Sequence, residues 1–225
     1  MKRFIALLCA LMVLFASDAL AANYADVYRD VLEDLYFNSV FPDGYTSDVY
    51  DIEDNTFAVY DVDGDGRKEL IIQWTSTYTS ASVGAIYDYD AATGELYREF
   101  IESPYFMFYN NGMLECQLMH NQTPAPDFWP YSLYQYNPRT DSYDLLGNVS
   151  AWERSYGDKY FGERFPSSVD SNGNGFVVWI GDGYGDGKWV DDDAYRTWRN
   201  SFAGEGKEVR IPFVNLTWAN IYDVR

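Results

Sequence analysis

Two runs of strand-forming residues, Phe57-Ala58-Val59-Tyr60 and Leu70-Ile71-Ile72-Gln73-Trp74, flank the segment Asp61-Val62-Asp63-Gly64-Asp65-Gly66-Arg67-Lys68-Glu69. Few features constrain a chain more. Carboxylates at the first, third and fifth positions of a tight loop converge on one point, where they repel one another unless a cation sits among them. Gly64 and Gly66 permit the backbone conformations that so sharp a wrap demands. A hard divalent ion such as calcium takes six to eight oxygens at about 2.3–2.6 Å. Asp61, Asp63 and Asp65 would supply side-chain oxygens and Arg67 its backbone carbonyl, and Glu69, at the ninth position, would close the shell. The competing reading is a solvated turn rich in Asp and Gly, but such a turn needs only one aspartate.

The segment is not an EF-hand, which requires a Glu at the twelfth position and helices on both sides. Here the twelfth position is Ile72 and both flanks are strand-like. The run from Phe57 to Ile72, FAVYDVDGDGRKELII, resembles the calcium loop of the integrin-type FG-GAP and related VCBS repeats. In those, one strand enters an Asp-x-Asp-Gly-Asp-Gly-x-x-Asp/Glu loop and another leaves it. The resemblance implies the same ligand set: Asp61, Asp63, Asp65, the Arg67 carbonyl and Glu69. It does not imply a propeller, because the loop occurs once. The chain as a whole is similar to small exported bacterial proteins that pair such a loop with Tyr-rich hairpins, an acidic helix start and an ending like Ile211-Pro212…Leu216-Thr217…Asn220-Ile221. That similarity implies no activity.

The rest of the chain reads as mostly β, of the α+β class. Residues Tyr24, Val27, Tyr28, Val31, Leu32, Leu35 and Tyr36 form the stripe of a core-facing helix over 24–36. From Thr56 to Val149, short strands alternate with turns, among them Asn110-Asn111-Gly112, a strong hairpin signal. Tyr87, Tyr89, Asp90, Thr93 and Leu96 recur as Tyr134, Tyr136, Asn137, Thr140 and Tyr143, always 47 residues on. Such a repeat suggests a duplicated sheet unit, although the strands are too few for a closed propeller. The expectation is one domain, residues 22–225: a single curved antiparallel meander, propeller-like in part, with N- and C-terminal helices. The second main helix is placed at 192–202, and Leu216–Tyr222 is expected to form a last helical turn.

The first 21 residues predict export. Lys2 and Arg3, an apolar run from Phe4 to Ala16, and the small residues of Ala19-Leu20-Ala21 make the three parts of a cleaved signal peptide. The run falls short of the roughly 20 apolar residues a membrane span needs. Leu8 before Cys9 argues against a lipid attachment site. The whole chain carries a formal charge of −19, and the loss of Lys2, Arg3 and Asp18 would take it to about −20. Such a surface repels nucleic acid and anionic lipid and favours divalent cations. Disordered acidic chains are poor in aromatics, whereas this one is 19% Phe, Trp and Tyr, which argues for a packed fold. Cys116 would be the one cysteine left, so an intramolecular disulfide is not expected.

Other acidic segments read more simply. Asp170-Ser171-Asn172-Gly173-Asn174-Gly175 repeats the loop spacing with one carboxylate and is best taken as a hairpin turn, a second ion being the alternative. Asp182 and Asp186 offer a further weak cation site, and Asp191-Asp192-Asp193 a helix start favoured by the macrodipole. His120 is the sole histidine, so a zinc site with two or more histidines cannot form. No nucleophile elbow or phosphate loop is present. The chain is therefore expected not to be an enzyme, although a carboxylate-based glycoside hydrolase needs only two placed acids. Glycan or surface binding is the alternative function, with Asp127-Phe128-Trp129-Pro130-Tyr131 as the candidate segment. The expected partners are calcium and a cell-surface glycan or protein, with the chain itself a monomer.

Overall fold

The computed structural model describes residues 23–160, 164–204 and 206–225, and the expected signal segment lies outside them. No helix among the described residues is long and apolar enough to cross a membrane. The first strands are β1 (Thr56–Tyr60), β2 (Glu69–Trp74), β3 (Val83–Tyr89) and β4 (Leu96–Glu102). They form one antiparallel sheet, with β12 (Val214–Asn215) added at the β1 edge. The second sheet runs in the order β10-β9-β8-β7-β6-β5-β11. Its members are β5 (Tyr105–Tyr109), β6 (Met113–Gln117), β7 (Tyr131–Asn137), β8 (Ser142–Glu153), β9 (Phe176–Gly181), β10 (Gly187–Asp191) and β11 (Glu208–Val209).

The fold is mostly β, as expected, but the meander is not single. It is divided at Ser103-Pro104, between β4 and β5. Proline lacks the N–H that would continue the ladder, so the chain turns there and begins a second sheet. The corner is fixed by Gln73 Nε2, which donates to the Pro104 carbonyl at 2.7 Å, and by Ser103 Oγ, which donates to the Gln117 carbonyl at 2.6 Å.

Side-chain alternation then stacks four layers. On β2, Leu70, Ile72 and Trp74 face helix α1 (Tyr24–Asn38) and the terminal helix α4 (Trp218–Tyr222), packing with Tyr28, Leu32, Leu35 and Ile221. Ile71 points the opposite way and, with Ala58, Ile86 and Phe100, meets Phe108, Leu114, Cys116 and Tyr134 of the second sheet. The outer face of that sheet, including Leu133, Val149 and Val178, is covered by Tyr195, Trp198 and Phe202 of helix α3 (Asp192–Ala203). Each fully buried Leu or Ile stabilises the fold by roughly 1.5–3 kcal/mol. A fourth helix, α2 (Arg154–Tyr160), and strand β10 were not foreseen, since neither has a clean apolar period.

The two similar hairpins occupy different sheets, β3–β4 in the first and β7–β8 in the second. Both slip register at the same place. Ile86 pairs with Phe100 and Tyr87 with Arg98, leaving Glu99 over; Leu133 pairs with Gly147 and Tyr134 with Leu145, leaving Leu146 over. Both also turn through one left-handed residue, Gly94 at φ 74° and Asp141 at φ 51°.

Candidate metal centre

The Asp/Gly loop joins β1 to β2, whose backbones pair from Thr56↔Gln73 to Tyr60↔Glu69. The loop is wound by its own aspartates. Asp61 accepts from the N–H groups of Gly64 (2.8 Å) and Gly66 (3.2 Å), Asp63 from that of Asp65 (2.9 Å), and Asp65 from that of Arg67 (2.7 Å). Gly64 and Gly66 carry the positive φ values, 83° and 94°, that this winding requires. Tyr28 of α1 anchors the exit, its hydroxyl donating to the Lys68 carbonyl at 2.6 Å.

Oxygens of Asp61, Asp63 and Glu69 lie within 4.8 Å of one another, a spacing a metal ion can bridge. Glu69 is fully buried, and its Oε2 accepts from the Val62 N–H at 2.7 Å while Oε1 has no partner among the described residues. Asp63 Oδ2 is likewise buried and unpartnered. The Tyr136 hydroxyl is nearby, but its proton goes to Asp141 Oδ1 at 2.6 Å. Burial pushes the Glu69 carboxyl up to about 9, against one opposing N–H bond, with Asp63, Glu99 and Asp88 adding to the rise. Asp63 is raised too, first by burial. Carboxylate oxygens stripped of water and left without donors need either a proton or a cation to offset their burial.

Asp65 and Arg67 depart from the simplest expectation. Asp65 belongs to a neighbouring group with Asp63 and Asp141, and its Oδ2 is held by the Arg67 guanidinium at 2.8 Å. Arg67, expected to contribute its carbonyl, also sends its side chain to Asp88 (2.6 Å) and Asp141 (3.0 Å). A third group joins Asp88, Glu99 and Asp141. Burial alone would raise Asp141, but the hydroxyls of Tyr136 and Tyr97 and the Arg67 guanidinium hold it below the usual carboxylate range. Asp88, Glu99 and Asp141 were missed from sequence because three separate elements deliver them. The one signal was the 47-residue repeat, which aligns Asp141 with Gly94 and Glu99 with Leu146.

The weaker candidates behave as turns and caps. Asp170 Oδ2 is taken by Arg154 (3.1 Å) and the Gly175 N–H (3.2 Å), although its Oδ1 is buried and unpartnered. Asn172 donates to Asp192 at 2.6 Å, and Asn174 accepts from the Phe176 N–H at 2.8 Å. Asp182 closes the β9–β10 turn, accepting from Tyr184 and Asp186 N–H groups at 2.8 and 3.2 Å. Asp191 caps α3, accepting from the Ala194 N–H at 2.7 Å. The segment around Trp129 lines an open cleft of about 420 Å³ with Gln117, Asp127, Tyr195 and Asn200. Trp129 is 45% exposed, and its indole is pinned by Nε1–H donation to the Leu118 carbonyl at 2.6 Å.

No protein-family model matches the chain, and the searches of curated proteins and of solved structures find no match either.

Proposed function

We propose that this is an exported calcium-binding protein whose loop ion is structural, held by Asp61, Asp63 and Glu69 with Asp65 and the Arg67 carbonyl completing the shell. The observation that carries the reading is that Asp63 and Glu69, each with a buried oxygen that no donor reaches, bring carboxylate oxygens within 4.8 Å of each other and of Asp61. An all-oxygen, carboxylate-rich set suits a hard cation, and calcium tolerates such an irregular shell better than magnesium, which demands a tight octahedron. In this reading the loop is FG-GAP-like, joining β1 to β2, and its role is binding rather than catalysis.

The unfolded chain cannot hold this geometry, so calcium at a hundredfold excess over Kd should stabilise the fold by about 2.7 kcal/mol. Thermal melts of the chain from residue 22 should shift upward in calcium and less in magnesium. Asp63→Asn and Glu69→Gln should each remove the loop ion's share of the shift, whereas Asp192→Ala should leave the shift whole. Equal melting temperatures in calcium and chelator would refute the proposal.

A second reading, glycan binding, is favoured by one observation. The half-exposed, immobilised Trp129 ring stands in a cleft of ligand-pocket size among planar polar side chains. An apolar sugar face can stack on such a ring while the hydroxyls reach Gln117, Asp127 and Asn200. Screening neutral oligosaccharides for quenching of tryptophan fluorescence, with Trp129→Ala as control, tests it.

A further inference from the structure

The mark that distinguishes the loop site, buried carboxylate oxygens with no donor, recurs once more nearby. Glu99 is more than nine-tenths buried, and both of its oxygens are without a partner among the described residues. It sits where β4 slips register, and such a slip re-aims a side chain. Here the Glu99 carboxylate lies with those of Asp88 and Asp141, oxygens within 4.8 Å of one another. The equivalent of Glu99 in the matching hairpin is Leu146, and the equivalent of Asp141 is Gly94. Both acids thus stand at special backbone positions whose counterparts carry no charge. Asp141 even adopts the left-handed conformation that its counterpart leaves to glycine.

The charge balance points the same way. The three carboxylate groups share Asp63 and Asp141, so three sets of three comprise seven acids. Arg67 serves Asp65, Asp88 and Asp141 but makes no ion pair with Glu99. Seven carboxylates, when all are ionised, less one charge for Arg67 and two for a loop ion, leave four negative charges that a buried site must offset with protons or with a second cation. We propose that Asp88, Glu99 and Asp141 hold a second calcium ion. The inference rests on the calcium reading of the adjoining loop and goes beyond it. Glu99 and Asp88 belong to the first sheet and Asp141 to a turn of the second, so this ion clamps the two sheets together. It competes with Arg67 for Asp88 and Asp141.

The test is a count. Protein stripped with chelator is dialysed against calcium chloride, and bound calcium is measured by atomic emission. The wild type is expected to bind two ions per chain, and Glu99→Gln and Asp141→Asn one each. Asparagine tolerates the left-handed backbone at position 141, so that variant should fold even if Glu99→Gln does not. Arg67→Gln, which removes the competing charge, should tighten the second ion. A wild-type count of one, lost in Glu69→Gln but kept in Glu99→Gln, overturns this inference and leaves the loop site standing. A count of two that persists in both Glu99→Gln and Asp141→Asn overturns it as well. A count of zero defeats the loop reading and the second site with it.

Discussion

Single residues carry unusual weight where the backbone is left-handed. Gly94 and Asp141 turn the two similar hairpins, at φ 74° and 51°. An L-residue there clashes with its own carbonyl, at a cost of about 1–2 kcal/mol. Asp141 offsets that cost with hydrogen bonds from Tyr97 (2.8 Å) and Tyr136 (2.6 Å) and the ion pair with Arg67. Alanine at position 94 would have no such compensation. Gly94→Ala is therefore expected to lower stability by about 1–2 kcal/mol in urea titrations, and an unchanged midpoint would contradict the strain argument. Cys116 makes the opposite case, a reactive group rendered inert. It is buried between the sheets, and desolvation, with Glu102 and Glu115 adding to it, pushes the thiol well above its ordinary range. The native thiol should stay unreactive toward a disulfide reagent at mildly alkaline pH and react once urea unfolds the chain. Rapid labelling of the native protein would count against this burial.

Elements meet on terms set by a few side chains, and Gly84 shows how. It lies on β3 beneath Phe106 of β5, and a Cβ there would collide with the Phe106 ring and approach the Pro104 Cα to 2.8 Å. The ring could swing away, but the Pro104 backbone is tied to Gln73 and cannot. Gly84→Ala should accordingly cost about 1–3 kcal/mol as an overpacked contact; a melt matching the wild type would show that the sheets can slide apart there. This contact also explains what sequence patterning could reach. Alternation placed β3 and β5 at their observed ends, and the apolar stripe from Tyr24 to Tyr36 located α1. Periodicity says which face of a strand is buried, but not which sheet buries it. Here that was decided by Pro104, by Phe106 over Gly84, and by Phe100 against Tyr134 at 4.7 Å between ring centres. The site divided in the same way. Asp61, Asp63 and Glu69 were legible because they are neighbours in one loop. Asp88, Glu99 and Asp141 were not, because packing of the sheets brings them together.

For the whole molecule, a chain of charge −19 gathers seven carboxylates where its two sheets meet, and on the proposed calcium reading its stability depends on protons and calcium together. In chelator, burial first, then neighbouring acids, push the carboxyls of Glu69 and Glu99 from 4.5 up to about 9. An acid with a higher pKa in the folded chain than in the unfolded one favours folding while it is protonated. That contribution is whole below about pH 4.5 and is lost as the pH climbs toward 9. The chelated protein should therefore become less stable across this window. The proposed calcium ion would act in the reverse sense, since it would bind the deprotonated oxygens and be opposed by the same protons. The gap between melting temperatures in calcium and in EDTA should widen steadily from about pH 5.5 to about pH 8.5. Substituting Glu69→Gln and Glu99→Gln together should flatten the fall in chelator, since the amides neither hold the proton nor acquire the charge. A calcium increment that stays constant over this range would mean that these two acids are already ionised in the metal-free fold, and that the carboxylates between the sheets find their compensation elsewhere.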